Sequence, residues 1–129
     1  MYKLYLRVRD YECDLQKVVN NSVYQNYLEH ARHEFLLKKG VNFSALAEEG
    51  INLMVVRVEL DYKKPLVSQD DFYVTVEVQK VSRIKYAFIQ NIYHKKNDQL
   101  MVLGRTIGIA VNKKGRPMAL AQLDNLIED

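Results

Sequence analysis

From Val23 to Lys38 one stripe of apolar side chains, Tyr24, Tyr27, Leu28, Ala31 and Phe35, recurs at helical spacing. A helix built on that pattern buries one face and wets the other, so it needs a second layer to lie on. Asn20, Asn21 or Ser22 can cap its start, Lys38 and Lys39 suit its last turn, and Gly40 suits its end. Leu36 and Leu37 fall off the stripe. They are expected to face a second surface, such as a subunit interface.

The remaining pattern supplies the other layer. Tyr2, Leu4, Leu6 and Val8 alternate with Lys3, Tyr5, Arg7 and Arg9, the mark of a half-buried strand. Asn42 can cap a short second helix that runs to Glu49 and stops at Gly50. Strand-like runs then follow over 52–62, 72–79, 83–95 and 100–112, broken at Lys63-Lys64-Pro65, Asn97-Asp98 and Lys113-Lys114-Gly115-Arg116-Pro117. Residues 120–128 are expected to form a short terminal helix. The order is strand, long helix, short helix and four strands with hairpin-like connections, which predicts an α+β design: an antiparallel sheet with the helix on one face. No repeat or linker divides the sequence, so residues 1–129 read as a single domain.

Composition narrows the function classes. The chain has 19 Lys and Arg against 16 Asp and Glu, a net charge of +3, too small a surplus for a nucleic-acid binder. It is compatible with a local basic patch for a phosphorylated small molecule. Cys13 is the one cysteine, so no intramolecular disulfide forms and a reducing compartment is the default. It reads as a small, partly buried residue rather than a nucleophile. MYKLYLRVRD lacks a signal peptide's apolar core, and no apolar run approaches a membrane span. The expected location is therefore cytoplasmic, with no membrane partner.

Chemistry concentrates in Glu12-Cys13-Asp14, upstream of the helix start. A helix N-terminus presents unpaired N–H groups and a partial positive charge. A carboxylate beside such donors suits acyl transfer, one group attacking or activating water and the other receiving the oxyanion. A loop acid that merely stabilises the helix start fits the same spacing.

These residues resemble a known family, the hotdog-fold acyl-CoA thioesterases of the 4-hydroxybenzoyl-CoA thioesterase type. The resemblance rests on Glu12-Cys13-Asp14, Val19-Asn20-Asn21, the helix tyrosines Tyr24 and Tyr27 and the Glu29-His30-Ala31-Arg32 stretch. It continues through Tyr62-Lys63-Lys64-Pro65-Leu66 with Gln69-Asp70, and through the strand from Ile109 into Gly115-Arg116-Pro117. It implies a hotdog fold, a sheet of about five strands wrapped around one long central helix. It also implies hydrolysis of an acyl-CoA thioester with Asp14 as nucleophile or general base and the Asn21 backbone amide as oxyanion donor. No cofactor is implied, and assembly as a homodimer or homotetramer, with active sites at the dimer interface, is. One departure stands out: Lys17-Val18 occupies the place of a Gly-His pair in many relatives, and only Gly takes positive φ without cost.

Several other residues are candidates. Lys63, Lys64, Arg83 and Lys85, with Lys113, Lys114 and Arg116, sit at turns and strand ends where they can form a basic rim for the phosphates of coenzyme A. Tyr24, Tyr27, Met54 and Phe88 are candidates for an acyl pocket, although each suits plain core as well. Glu12 is expected to fix its loop by hydrogen bonds. Glu29 and His33 are spaced to pair on one helix face, and His30 and His94 read as surface residues. The three histidines lack metal-ligand spacing, so no metal site is expected. The competing function is a non-catalytic acyl-CoA or acyl-carrier-protein binding module on the same fold. A dehydratase is disfavoured because no His lies between Asp10 and Asn21.

Overall fold

The computed structural model describes residues 1–127. Its elements are β1 (Tyr2–Arg7), a 3-10 turn (Asp10–Glu12), α1 (Asn21–Lys38), α2 (Phe43–Glu48), β2 (Asn52–Tyr62), β3 (Asp71–Lys80), β4 (Lys85–His94), β5 (Leu100–Val111), β6 (Pro117–Met118) and α3 (Ala121–Asp124). The strands form one antiparallel sheet in the order β1-β3-β4-β5-β2, with the two-residue β6 added to β5. The sheet is the expected one, extended by that short sixth strand. The terminal helix is shorter than the expected 120–128, and residue 128 lies outside the described residues.

Alternation along the strands puts Phe72, Val74, Val76 and Val78 on the face that receives α1. From the helix, Tyr24, Tyr27, Leu28, Ala31 and Phe35 are all buried, as their stripe predicts. Burial of about 25 cal/mol per Å² of apolar surface makes this layer contact the main source of stability. The helix approaches β5 so closely that a Cβ on Gly104 would lie 2.9 Å from Leu28 Cδ1 and 2.7 Å from Gln90 O. Only glycine fits there.

Two expectations fail here for tertiary reasons. Leu36 is 2% exposed, not on a second surface, because it turns into an apolar space between α1 and the β2 side of the sheet. Leu37 does face outward. His94 is half-buried rather than a free surface residue: the β3–β4 register sets it opposite Phe72, with its Nε2 3.4 Å from Asp70 Oδ1. Its Nδ1 accepts from Lys96 N, so it closes the β4–β5 turn.

β2 is an edge strand. Met54, Val55, Val56, Val58 and Tyr62 on it are 39–51% exposed, an unusual concentration of apolar surface on an unpaired edge.

Candidate active site

The loop between β1 and α1 is tied to the rest of the fold by its backbone. Val8 N donates to Asp70 O, Val19 N to Leu66 O and Asn20 N to Glu12 O. Glu12 is the side-chain knot. Its Oε1 accepts from Arg9 N at 2.8 Å and from the buried Tyr27 hydroxyl at 2.7 Å, and its Oε2 accepts from Arg9 Nη1 at 3.2 Å. Burial and the Glu12 acceptor both push the Tyr27 pKa well above its ordinary value, so the phenol stays protonated and donates. Asp10 is similarly engaged by Ser68 Oγ and Gln69 Nε2, and these hydrogen bonds hold its carboxyl below the usual range.

Asp14 is treated differently. It is exposed, and Oδ1 accepts only from Gln16 N at 2.8 Å, a local Asx turn. Oδ2 has no hydrogen-bond partner among the described residues. Backbone bonds from Lys17 N to Asp14 O and from Asp14 N to Val18 O close the turn. Lys17 sits at φ 66, the left-handed conformation that a glycine would take without strain. The lysine therefore holds this turn at a conformational cost.

At the head of α1 the Asn20 side chain caps Ser22 N at 3.0 Å, and Asn20 O accepts from Val23 N. The Asn21 amide takes neither acceptor and has no partner among the described residues. Asn21 lines a cleft of about 140 Å³ with Tyr24, Tyr62, Lys63, Lys64 and Val18. Cys13 pairs with Val19 across the base of the turn. Burial first, and then the charges of Asp10, Asp14 and Glu12, push its thiol pKa up, which leaves it a poor nucleophile.

The structure gathers part of the expected set. Asn21, Tyr24, Lys63 and Lys64 share the cleft, and the Asp14 turn joins it through Val18. Tyr24 contributes mainly ring, because its hydroxyl accepts from Leu66 N at 2.9 Å. Tyr27 is not a pocket residue: its hydroxyl is committed to Glu12 and its ring lies 4.7 Å from Phe72. Arg83 and Lys85 are not there either. Lys85 pairs with Ile109, whereas Tyr62 and Ile92 both pair with Val102, so Lys85 stands seven residues away along β4, about 23 Å. Lys113, Lys114 and Arg116 follow β5 at that same far end. One chain thus carries a basic group at each end of the sheet.

Beside β2, further along α1 than the cleft, lies a groove. Gln25, Asn26, Val55 and Val58 border its near part, of about 230 Å³. Beyond it lies an apolar cavity of about 370 Å³ with Leu36, Phe43, Leu53, Met54 and Phe88 in its walls, so Met54 and Phe88 do line a pocket. Glu29 and Arg32 border both parts, and Glu29 Oε1 is 3.9 Å from His33 Nε2, as the helix spacing predicts. Sequence reasoning passed over Arg32 and Gln90. The signal for Gln90 was there: it is a lone polar residue among inward positions, between Phe88 and Ile92. Among the described residues no group of three His, Cys, Asp or Glu side chains gathers as metal ligands would, and no helix is long and apolar enough to cross a membrane.

Comparison with known proteins bears on the family and the fold. The chain is 34% identical over 119 residues to the chloroplastic acyl-acyl carrier protein thioesterase ATL3 of Arabidopsis thaliana, covering 92% of this chain and 63% of that protein. It is 30% identical over 77 residues to the long-chain acyl-CoA thioesterase FadM of Escherichia coli, covering 60% of this chain and 58% of that one. The chain spans less than two thirds of the length of these relatives. A hypothetical protein from Aquifex aeolicus superposes with a TM-score of 0.88 at 27% identity, covering 99% of this chain and 100% of that one. A 1,4-dihydroxy-2-naphthoyl-CoA thioesterase from Synechocystis, at 16% identity, shares the fold with a TM-score of 0.89 over 96% of this chain and 92% of its own. Residues 8–125 match the thioesterase-like superfamily, and the chain belongs to that hotdog family.

Proposed function

We propose that the protein hydrolyses an acyl thioester of coenzyme A or of acyl carrier protein to a carboxylic acid and a free thiol. The observation that carries this reading is an unpartnered Asn21 amide at the head of α1, preceded in the chain by a loop whose carboxylate, Asp14, has one oxygen uncommitted. The thioester carbonyl oxygen would accept from Asn21 N–H, where the helix dipole also favours negative charge. Asp14 would then add to the acyl carbon, forming a mixed anhydride and expelling the thiolate before water cleaves the anhydride. Alternatively it takes a proton from water as that water adds and the C–S bond breaks. A thiolate leaves readily, so no strong acid is required at the sulfur. An oxyanion donor of this kind is worth about 3 kcal/mol.

The relatives support both carriers, since one is named for acyl carrier protein and another for acyl-CoA. Lys63 and Lys64 would meet the carrier's phosphates at the cleft. The exposed apolar edge of β2 supports a homodimer in which two copies pair antiparallel through that edge. Such pairing would bring the Arg83 and Lys85 end of a second copy toward Lys63 and Lys64, uniting the basic groups that one chain keeps apart. A light-scattering mass near twice 15.1 kDa at micromolar concentration is expected, and a monomer mass overturns the dimer.

Free-thiol release from a panel of acyl-CoAs and acyl-carrier-protein thioesters, short to long, tests the reaction. Turnover that falls at least about 100-fold in Asp14→Asn is the expected result. Binding without turnover would instead make the chain an acyl-thioester binding module. Turnover that survives the substitution would move the chemistry to Glu12 or Glu29.

A further inference from the structure

Arg32 borders the apolar groove between α1 and β2, held by a single side-chain hydrogen bond. A guanidinium has five N–H groups. One of them, on Nη1, donates to Gln90 Oε1 at 2.9 Å. Gln90 is 0% exposed and is itself fixed by donating from Nε2 to Leu28 O at 2.8 Å, so its carbonyl oxygen is aimed at Arg32 and nothing else. Arg32 forms no ion pair among the described residues; Glu29, one turn earlier, lies against His33 instead. Burial pushes the Arg32 pKa down and the Glu29 charge opposes this. A half-buried guanidinium beside Leu36, Leu53, Met54 and Phe88 is costly unless acceptors reach it. Gln90 takes one of these donors, and the others have no side-chain partner among the described residues.

Arg32 follows Asn21 by eleven residues on α1, about 16 Å along the helix, and its side chain leans back toward the helix start. An acyl chain lying in the groove with its thioester at Asn21 would pass Arg32 well beyond its first few carbons. A plain hydrocarbon gives Arg32 no acceptor.

We propose that the groove selects acyl chains that carry an acceptor oxygen distant from the thioester, a keto, hydroxyl or carboxylate oxygen, and that Arg32, held by Gln90, is the specificity residue that binds it. The proposal rests on the thioester hydrolase reading above.

The test compares kcat/KM on acyl-CoAs of equal length, plain or bearing a distal keto, hydroxyl or carboxylate group, for wild type, Arg32→Met and Arg32→Lys. The expected result is at least a tenfold wild-type preference for the oxygenated chains, carried by KM. Arg32→Met should cut that ratio at least tenfold and Arg32→Lys should restore part of it. A carboxylate preferred over a hydroxyl identifies charge pairing; equal preference identifies a neutral acceptor. No preference in the wild type overturns the proposal, as does a loss in Arg32→Met that is equal for plain and oxygenated chains. If Arg32→Met does not fold, the wild-type preference and Arg32→Lys decide. If the wild type hydrolyses none of these substrates, the hydrolase reading falls, and calorimetric titration with the same acyl-CoAs still decides: tenfold tighter binding of oxygenated chains upholds the groove's selectivity, and equal binding ends it.

Discussion

In the first half of the loop between β1 and α1, Glu12 is held by Arg9 N, Arg9 Nη1 and the Tyr27 hydroxyl, and its side chain is 10% exposed. In the second half, two residues on, Asp14 is exposed and holds only the Gln16 amide of its own turn. The sequence offers two carboxylates flanking one cysteine, and the fold gives them different surroundings. A carboxylate whose lone pairs are filled by buried donors is an anchor. One with a free oxygen is available to attack or to accept a proton. Anchoring in the first half also keeps the second half in place, because Asn20 N, at the entrance to α1, donates to Glu12 O.

The largest effect should come from Asp14→Asn. The amide keeps an oxygen for Gln16 N–H, so the turn survives while nucleophile and base are both lost. Thiol release should fall at least about 100-fold, equivalent to about 2.7 kcal/mol of barrier, with the thermal midpoint unmoved. Glu12→Ala should do the reverse. It strands the buried Tyr27 hydroxyl and the Arg9 amide, and urea unfolding should report a loss of about 2 kcal/mol. Its rate should fall less than tenfold once folded protein is counted. An intact stability with a 100-fold slower Glu12→Ala would exchange the two roles.

How far these roles could be seen in advance depends on how local their causes are. The α1 stripe was legible because a helix writes its buried face at a fixed period, and Asn20 was legible as a cap because capping is a contact over two residues. The preference for Asp14 over Glu12 comes from the family resemblance, and the partner that holds Glu12, Tyr27, is fifteen residues away and meets it only through packing. Sheet register is less legible still. It carries Lys85 to the far end from Lys63 and sets His94 beside Asp70, while the packing of α1 on the sheet turns Leu36 into the groove, and none of these follows from spacing along the chain. The Lys17 departure was legible as a question about positive φ, and φ 66 answers it.

Tyr27→Phe sharpens the anchor half more gently. It removes one of three donors from Glu12 and should cost about 1 kcal/mol in urea unfolding. It should also change the alkaline limb. Burial and Glu12 raise the folded-state pKa of Tyr27 above its ordinary 10.0, so the protonated phenol stabilises the fold fully below that value. As pH rises past 10, the unfolded chain releases this proton more readily than the folded one, and stability falls. The urea midpoint of the wild type should therefore drop above about pH 10 more steeply than that of Tyr27→Phe; identical slopes would mean that Tyr27 does not hold its proton through Glu12.

The smallest effect belongs to the free half. At φ 66 a lysine side chain costs about 1 kcal/mol, which Lys17→Gly removes. Glycine also adds conformational freedom to the unfolded chain, worth up to about 1 kcal/mol in the other direction. The two nearly cancel, so Lys17→Gly should shift unfolding by no more than about 0.5 kcal/mol. Lys17→Val should destabilise by about 1 kcal/mol more, because a β-branched residue tolerates left-handed backbone worst. Rates separate the variants further. The Lys17 N to Asp14 O bond closes the turn that presents Asp14, so a valine that forces the turn open moves the carboxylate from its place. Thiol release by Lys17→Val should fall by more than its loss of folded protein explains, whereas glycine keeps the turn closed. Equal rates and stabilities for Gly, Lys and Val would mean that the turn is not held left-handed in solution, and that Asp14 owes its position to something other than this loop.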